Sequence, residues 1–452
     1  MSGLPEGWTT ARIRDLCSLE NGRAFKPTEW TDRGLPIVRI QNLNRAGAAF
    51  NYFAGEAADR YRLRGGELLF AWSGTPGTSF GAHVWRGGDA VLNQHIFRVD
   101  FDEALVEKRF FRHAINQKLS ELIDVAHGGV GLRHVTKGVF EGTEVLVPPL
   151  PEQKRIADKL DTLLARVDTC RTHLARIPAI LKRFRQSVLT AATSGELTRE
   201  WRLERNCAQD WGSVRLDQLV TEGRVITYGV IKLGDETDDG IPCLRTSNVR
   251  WLRIDIGGMK RISPRVSADY SRTVLAGGEV LVNVRGTLGG TAVVPDGMRG
   301  WNVSREVAVV PADHDQVDPR YLAFWIGSNE SRRWLSDAQK GVAYTGINIE
   351  DLRALPVSIP AMSEQQEIVR RVESLFALAE LVEARYTTAR AHLDGLTPAL
   401  LAKAFRGELV PQDPNDEPAA ALLARMAERG DHSGASSPPR RGRKATASGP
   451  RA

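Results

Sequence analysis

The stretch Pro151-Glu152-Gln153-Lys154-Arg155-Ile156 occurs a second time, in changed form, as Ser363-Glu364-Gln365-Gln366-Glu367-Ile368. The offset is 212 residues, and two further pairs share it: Gly65-Gly66-Glu67-Leu68-Leu69 with Gly277-Gly278-Glu279-Val280-Leu281, and Gly195-Glu196-Leu197 with Gly407-Glu408-Leu409. A period this long lies outside the range of about 20–50 residues that is typical of solenoid repeats. The matches therefore predict a domain and its connector, present twice.

A long helix is predicted to begin at each quoted stretch, because apolar side chains follow in alternating steps of four and three residues. This is the a/d pattern of a coiled coil. The positions are Ile156, Leu160, Leu163, Val167, Cys170, Leu174, Ile177, Leu181, Phe184 and Val188 in the first copy, and Ile368, Val372, Leu375, Ala379, Val382, Tyr386, Ala389, Leu393, Leu396 and Leu400 in the second. Shared heptads predict that the two helices pack antiparallel on each other, with interruptions at Pro178 and Pro398.

The fold class predicted for the whole chain is α+β, because strand-like segments do not alternate regularly with helices. We expect two similar globular domains joined by two long antiparallel coiled-coil helices, related by an internal pseudo-two-fold repeat. The expected segments are a first domain (1–150), a first spacer helix (151–194), a linker (195–210), a second domain (211–360), a second spacer helix (361–406) and a disordered basic tail (407–452) with at most a short helix around Ala419–Glu428.

Composition narrows the class of protein. The 452 residues carry a formal net charge of +6, which permits a polyanionic partner without requiring one. The four cysteines form no CxxC pair, so neither a zinc site nor a disulfide framework is indicated. Neither a signal peptide nor a run of about 18 apolar residues is seen, and we expect a cytoplasmic protein.

Motifs that carry chemistry are missing from the sequence. It contains no GxxxxGK[ST] loop, GxSxG elbow, HExxH pair or Asn-Pro-Pro-aromatic motif. Glu152-x-Lys154 resembles the end of a nuclease motif, but its copy reads Glu364-x-Gln366, which favours a structural role. We therefore expect a binding protein with no catalytic residue, metal or cofactor of its own.

Polar loops at matching places in the two domains are candidates for contact with DNA, because Arg, Gln and Asn read guanine and adenine edges bidentately. In the first domain the candidates are Arg39, Gln41, Asn42, Asn44, Arg45, Ser73, Thr75, Arg133 and His134. In the second domain they are Arg245, Thr246, Ser247, Asn248, Arg250, Arg285, Thr287, Lys340, Tyr344 and Thr345. Any one of them can instead be a solvated turn residue, and for Arg39 and Arg245 fixing of the loop by hydrogen bonds to carbonyls is an equal alternative.

These residues together resemble the specificity subunit of type I restriction–modification systems. The resemblance rests on the Pro-Leu-Pro-Glu-Gln-x-x-Ile start of the long helix, its duplicate, the Gly-Gly-Glu-Leu-Leu and Arg-x-x-Asn segments and the Gly-Glu-Leu helix ends, and it covers about residues 5–412. The sequence departs from the family pattern at Met362-Ser363, where Pro-Leu is usual, and at the less regular seam positions Ala379, Tyr386 and Ala389.

The resemblance implies that residues 1–150 and 211–360 are target recognition domains, each binding one half of a split, asymmetric site in double-stranded DNA. It implies that the antiparallel helices set the gap between the half-sites. It also implies two modification subunits, which bind S-adenosylmethionine and methylate adenine, and a restriction subunit that uses ATP and Mg. The chain itself would be non-catalytic.

Two other classes of function remain open at this point. One is a self-contained methyltransferase or nuclease with fused recognition domains, which binding of S-adenosylmethionine to the purified chain would reveal. The other is a structural adaptor that bridges proteins and has no role on DNA. Binding of DNA by the chain together with its modification partner separates the adaptor from the recognition subunit.

Overall fold

The computed structural model describes residues 3–45, 47–74, 80–124, 133–207, 211–338 and 346–433. The chain divides into two compact units, the first formed by Met1–Thr172 with Ala391–Ala452 and the second by His173–Arg390. Each unit thus contains one globular domain and portions of both long helices. Over these described ranges, no helix has the length and apolar character needed to cross a membrane.

The described residues of the first half of the chain contain twelve strands and six α-helices. The strands are β1 (Thr9–Arg12), β2 (Ser18–Asn21), β3 (Leu35–Val38), β4 (Asn51–Phe53), β5 (Arg62–Leu63), β6 (Leu68–Ala71), β7 (Ser73–Gly74), β8 (Gly81–Val84), β9 (Ala90–Leu92), β10 (Ile96–Asp100), β11 (Arg133–His134) and β12 (Glu144–Val147). The helices are α1 (Ile13–Leu16), α2 (Ile40–Asn44), α3 (Lys108–Gln117), α4 (Leu119–Asp124), α5 (Lys137–Gly142) and α6 (Leu150–Leu174).

The remainder of the described chain contains eleven strands and eight helices. The strands are β13 (Gly212–Arg215), β14 (Thr227–Tyr228), β15 (Ile241–Leu244), β16 (Val249–Arg250), β17 (Arg253–Ile254), β18 (Lys260–Ile262), β19 (Val280–Asn283), β20 (Thr291–Val293), β21 (Asn302–Val303), β22 (Val307–Val310) and β23 (Pro356–Ile359). The helices are α7 (Ile177–Thr193), α8 (Arg199–Arg205), α9 (Pro264–Asp269), α10 (Pro319–Ile326), α11 (Asn329–Ala338), α12 (Ile349–Ala354), α13 (Met362–Ala404) and α14 (Ala419–Ser433).

The sheets of the two units repeat one another. A four-stranded antiparallel sheet has the order β2-β10-β6-β8 in the first unit and β14-β22-β19-β20 in the second. In the first unit β3 pairs antiparallel with β4 and parallel with β9, and in the second β15 pairs in the same two ways with β18 and β21. The two-stranded pairs β1–β12 and β13–β23 complete the match. The internal repeat predicted from the sequence is confirmed.

The Gly-Gly-Glu motif forms the same turn before β6 and before β19. All four glycines have positive φ, for example 107° at Gly65 and 90° at Gly277, which a side chain would strain. The Glu279 carboxylate accepts the backbone N–H groups of Ala276 at 2.8 Å and Gly277 at 2.9 Å, and Glu67 caps its own turn in the same way. The motif therefore starts the central strand of each sheet.

Each unit has its own main core, and the long helices contribute to both. In the first unit the start of α6 and the end of α13 pack with the domain, including Ile156, Leu160, Phe111, Phe140 and Phe405. In the second unit α7 and the start of α13 pack on α10, including Leu189, Ile368, Val372, Tyr321 and Leu322. Separate cores let each unit fold around its own buried side chains.

The helix portions run antiparallel within each unit. In the first unit Arg171 on α6 approaches Asp394 on α13 at 4.0 Å, whereas Ile156 and Leu160, earlier on α6, share the core with Ala404 at the end of α13. In the second unit the guanidinium of Arg185 bonds to Glu383 at 2.7 Å, while Arg371 donates to the Leu197 carbonyl at 2.8 Å. Together with the repeated sheets, this confirms the predicted fold class.

The predicted apolar seam is only partly buried. Ile156, Leu160, Ile368 and Val372 are fully buried, but the seam positions Cys170, Val382, Ala389 and Leu396 are exposed. The first long helix is interrupted between α6 and α7, immediately before Pro178, whereas α13 continues through Pro398. A heptad pattern shows which residues lie on one face of a helix. Burial of that face also requires a second helix or a domain that packs against it along its whole length.

The C-terminal segment differs from the predicted disordered tail. Helix α14 follows Pro418, and Ala419 and Leu422 are buried in the main core of the first unit. Asp416 bonds to the guanidinium of Arg155 at 2.6 Å, and the Ala419 N–H donates to the Gly7 carbonyl at 2.9 Å. The helix expected around Ala419–Glu428 is present as α14. The expectation of disorder in the rest of the segment from residue 407 to α14 is corrected, and the Arg440–Lys444 cluster lies outside the described residues.

Candidate nucleic-acid interface

The paired loops of the two units come together at the same place. In the first unit β7 pairs with β11, so that Ser73 lies opposite His134 and the Ser73 Oγ is 2.9 Å from His134 Nδ1. In the second unit Arg285 forms a bridge with Gly346. Both pairs join the end of the Gly-Gly-Glu strand to the Gly-rich loop, at positions related by the 212-residue offset. Loop regions that the sequence placed more than 60 residues apart are thus neighbours in space.

Four predicted contact residues, Thr75, Lys340, Tyr344 and Thr345, lie outside the described residues, as does the side chain of Arg133. Their assignment stays a prediction. The backbone of Arg133 is part of β11, which places this position beside Gly74.

The prediction that Asn248 reads a base is corrected by its burial. Asn248 is 0% exposed; its Oδ1 accepts the Arg245 N–H at 3.0 Å and its Nδ2 donates to the carbonyls of Asp255 and Gly257. Asn42 makes the equivalent bonds in the first unit, from the Arg39 N–H and to the carbonyls of Ala48 and Ala49. Both side-chain amides are used in hydrogen bonds to the backbone of their own loop, and they thereby fix its conformation.

The two arginines at the strand ends are held against their own domains. The guanidinium of Arg245 donates to the Gly258 carbonyl at 2.8 Å, which supports the alternative that it fixes the loop. The guanidinium of Arg39 lies over the Trp30 ring, 5.2 Å from its centroid. Five predicted contact residues have exposed side chains and remain candidates for DNA contact: Gln41, Asn44, Arg45, Ser247 and Arg250.

The structure distributes the second unit's candidates over two surfaces. Thr246, Arg250 and Thr287 line a cavity of about 510 Å³ whose other wall is α7. Arg285 lines a separate groove of about 530 Å³, which we call the Arg285 groove. The loop after β19 contributes to both surfaces, because Thr287 lines the first cavity with Thr246 and Arg285 lines the second.

The Arg285 groove combines basic and aromatic side chains. Its lining includes Tyr228, Tyr270, Arg272, Arg285 and Arg305. The Arg285 guanidinium lies 5.6 Å from the centroid of the Tyr228 ring, and the Tyr228 hydroxyl accepts the Ile349 N–H at 2.9 Å. Guanidinium groups contact phosphates and guanine edges, and aromatic faces hold such cations in place. This surface is chemically suited to nucleic acid.

An aromatic cluster occupies the corresponding place in the first unit. The Trp72 ring stacks on Phe97 with centroids 5.6 Å apart, and the rings of His95 and His134 lie 5.5 Å and 5.8 Å from it. Burial, followed by the nearby His134, lowers the pKa of His95 below its ordinary value. At neutral pH His95 is therefore an uncharged imidazole, with one nitrogen that donates and one that accepts.

Sequence reasoning missed Trp72, His95, Tyr228 and Arg305, although His95 and Arg305 lie in the short polar runs Asn93-Gln94-His95 and Ser304-Arg305-Glu306. The available signal was position: Trp72 and Arg285 follow the Gly-Gly-Glu strands, and His95 and Arg305 precede the next buried strands. Across the described part of the chain, no group of three His, Cys, Asp or Glu side chains is placed to hold a metal ion.

Comparison with known proteins bears on both units. The family model of the type I restriction modification DNA specificity domain matches residues 5–179 and again residues 209–389. The chain is 34% identical over 446 residues to the specificity subunit of the type I restriction enzyme EcoBI from Escherichia coli, covering 94% of this chain and 93% of that one. It is 30% identical over 455 residues to the EcoKI specificity subunit from Escherichia coli strain K12, covering 94% and 96%.

Solved structures share the fold. The HsdS subunit from Thermoanaerobacter tengcongensis matches with a TM-score of 0.57 at 20% identity, over 90% of this chain and 98% of that chain. A chain from a type I R-M system solved for its complex assembly and conformational transition matches with a TM-score of 0.65 at 20% identity, over 90% and 100%. At this identity the likeness concerns the fold alone.

Proposed function

Because the chain belongs to the family of type I restriction modification DNA specificity domains, we propose that it binds a bipartite, asymmetric DNA site, with one half-site for each unit. It is a specificity subunit, a non-catalytic part of an enzyme complex that recognises DNA. The observation that carries the bipartite site is the repeat: the family model matches twice, once in each unit.

The two units are proposed to read different sequences. Their sheets have the same order, but the groove of the second unit carries Arg272, Arg285 and Arg305 where the first unit carries a cluster around Trp72 and His95. Equal scaffolds with unequal side chains support unequal half-sites, since base identity is read by side chains at base edges. The exposed candidates Gln41, Asn44 and Arg250 and the described loops beside them belong to this proposed contact surface.

The proposed partners are two modification subunits, which bind S-adenosylmethionine and methylate adenine, and restriction subunits that use ATP and Mg. The proposed compartment is the cytoplasm, where DNA is accessible to such a complex. The antiparallel helix portions in each unit support the further proposal that α6, α7 and α13 fix the gap between the half-sites.

Selection from a random duplex library tests the proposal. The chain, co-purified with its modification partner, is expected to enrich two short conserved blocks separated by a fixed unconserved gap. The partner alone is the control and should enrich nothing. Enrichment of a single continuous block, or of no sequence, would contradict the bipartite site. Adenine methylation within the enriched blocks would identify the partner's activity.

A further inference from the structure

Two short turns occupy the same place in the two units, each directly before a buried strand. They are Gln94–His95 before β10 and Arg305–Glu306 before β22. The Gln94 N–H donates to the Arg23 carbonyl at 3.0 Å, and the Arg305 N–H donates to the Val230 carbonyl at 2.8 Å. The backbone at the first residue of the turn is therefore fixed in the same way in both units.

The second residue of each turn is also held through its backbone. The His95 carbonyl accepts the Trp72 N–H at 3.3 Å, and the Glu306 carbonyl accepts the Val284 N–H at 2.9 Å. Trp72 and Val284 follow the central strands β6 and β19. The turn is thus attached on one side to the loop before β3 or β15 and on the other to the end of the central strand, without using its side chains.

The side chains on this common frame differ completely. The first unit presents an amide and an imidazole, and the second a guanidinium and a carboxylate. Glutamine pairs bidentately with adenine, arginine with guanine, and glutamate accepts from the amino group of cytosine. A residue that determines specificity needs a fixed backbone and a side chain that can be replaced by another one that recognises a different base. The two turns meet both conditions.

Position and bonding agree with that role. Arg305 is exposed and lines the Arg285 groove. Within the described residues, its backbone N–H is hydrogen-bonded and its side chain makes no hydrogen bond or ion pair. In the first unit Gln94 Nε2 lies 3.2 Å from His95 Nε2, and the His95 ring contacts Trp72. Asn248 is fully buried and bonded within its own loop. Arg305 is exposed, and Gln94, His95 and Glu306 are half-buried.

We propose that Gln94–His95 and Arg305–Glu306 are specificity-determining turns, each presenting its two side chains to base edges of one DNA half-site. This inference rests on the proposed function and adds the residues that select the bases. Because the backbone bonds hold each turn, its side-chain pair is exchangeable between units.

The test is a transfer of the first turn into the second unit. The double variant Arg305→Gln with Glu306→His, in complex with the modification partner, is compared with wild type by selection from a random duplex library. The preference is expected to change at one or two adjacent base pairs of one half-site, with about a tenfold loss for the original base pairs. The other half-site should stay unchanged.

Arg299→Gln is the control for the loss of a surface guanidinium, because Arg299 is exposed and lies outside the Arg285 groove. An unchanged motif in the double variant, with the wild type still enriching a split site, overturns the inference and leaves the proposed function standing. A change in both half-sites also overturns it. If the wild type enriches no split site, the proposed function fails and the inference with it.

Arg305→Lys resolves the case in which the double variant loses all binding. Lysine keeps the charge and a phosphate contact but loses the bidentate fork. Loss of discrimination at one base pair, with an unchanged dependence of affinity on salt, supports base reading. Full retention of discrimination by Arg305→Lys assigns Arg305 to the phosphates and overturns the inference.

Discussion

Gln153 and Gln365, 212 residues apart, make the same hydrogen bonds in the two units. Each is 0% exposed and lies in the first turn of a long helix. The Gln153 Oε1 accepts the Glu107 N–H at 2.9 Å and its Nε2 donates to the Pro148 carbonyl at 3.0 Å. The Gln365 Oε1 accepts the Asp318 N–H at 2.8 Å and its Nε2 donates to the Pro360 carbonyl at 3.0 Å. The repeated Glu-Gln pair thus attaches each helix to its domain.

Replacing either glutamine by leucine is expected to destabilise its own unit. A buried N–H group and a buried carbonyl lose their partners, at about 1–3 kcal/mol for each unsatisfied group. Thermal unfolding by calorimetry measures the change. Gln366→Leu is the control, because Gln366 is the exposed neighbour on the same helix. Equal melting temperatures for Gln365→Leu and Gln366→Leu would contradict the attachment role.

Arg202→Met is expected to destabilise the second unit by about 3–5 kcal/mol, because it leaves the buried carboxylate of Glu364 without its cation. The Arg202 guanidinium donates to Glu364 at 2.5 Å and to the Gly195 carbonyl at 2.7 Å. Urea unfolding of Arg202→Met is compared with Arg199→Met, whose side chain is 66% exposed. If the two variants unfold at the same urea concentration, the ion pair between Arg202 and Glu364 does not stabilise the second unit.

Glu152 is expected to make the first unit less stable as the pH rises, because its pKa is raised in the folded state. Burial raises its pKa, and the hydrogen bond from Trp8 Nε1 at 3.0 Å together with Arg155 lowers it only in part. A group with a raised pKa in the folded state stabilises most below its ordinary pKa of about 4.3, and the stabilisation is lost as the pH rises through the raised value.

The variant Glu152→Gln is therefore expected to gain melting temperature relative to wild type as the pH rises from 4 to 8, since its amide stays uncharged and still accepts from Trp8. The measurement is a series of melting curves across that pH range. Glu204→Gln, at an exposed position, serves as the control. Parallel curves for wild type and Glu152→Gln would show that the carboxyl titrates normally.

Leu422→Ala is expected to lower the free energy of unfolding by about 2–5 kcal/mol, the usual range for a buried leucine. Leu422 is 2% exposed within the core of the first unit. Leu203→Ala, at a leucine that is 60% exposed, should change stability by less than about 0.5 kcal/mol. Equal free energies of unfolding for Leu422→Ala and Leu203→Ala would show that α14 does not contribute to the core.

Asn248→Ala and Gln41→Ala are expected to separate structure from recognition. Asn248→Ala should lower the melting temperature, because three backbone groups lose the hydrogen bonds they make with the buried Asn248 amide. Gln41 is exposed, so Gln41→Ala should leave the melting temperature unchanged and weaken discrimination at one base pair by about 1–3 kcal/mol if it reads a base. Melting curves and binding to single-base-variant duplexes check both expectations, which fail if Asn248→Ala melts like wild type.

The sequence was sufficient for the repeat, the long helices and the α+β class, since an exact offset and a sustained heptad report directly on backbone periodicity. It was insufficient wherever a side chain's environment depends on distant chain segments. The Asn248 loop looks polar and solvated, yet its amide is enclosed by the turn at Asp255. Val382 and Leu396 fit the seam and are exposed, because periodicity does not reveal the partner's length. Arg305 carries no motif, and only strand pairing brings it beside Arg285.

The turns at Gln94–His95 and Arg305–Glu306 are attached to the neighbouring loop and strand by main-chain hydrogen bonds, and this has an evolutionary consequence. Substitution there leaves in place the main-chain hydrogen bonds that attach the turn. A lineage can then drift through many side-chain pairs at these positions while selection on stability acts elsewhere, on Gln153, Gln365 and the Gly-Gly-Glu turns. The residues proposed to recognise DNA are therefore different from those that stabilise the fold, so the recognised sequence can change while the fold is preserved.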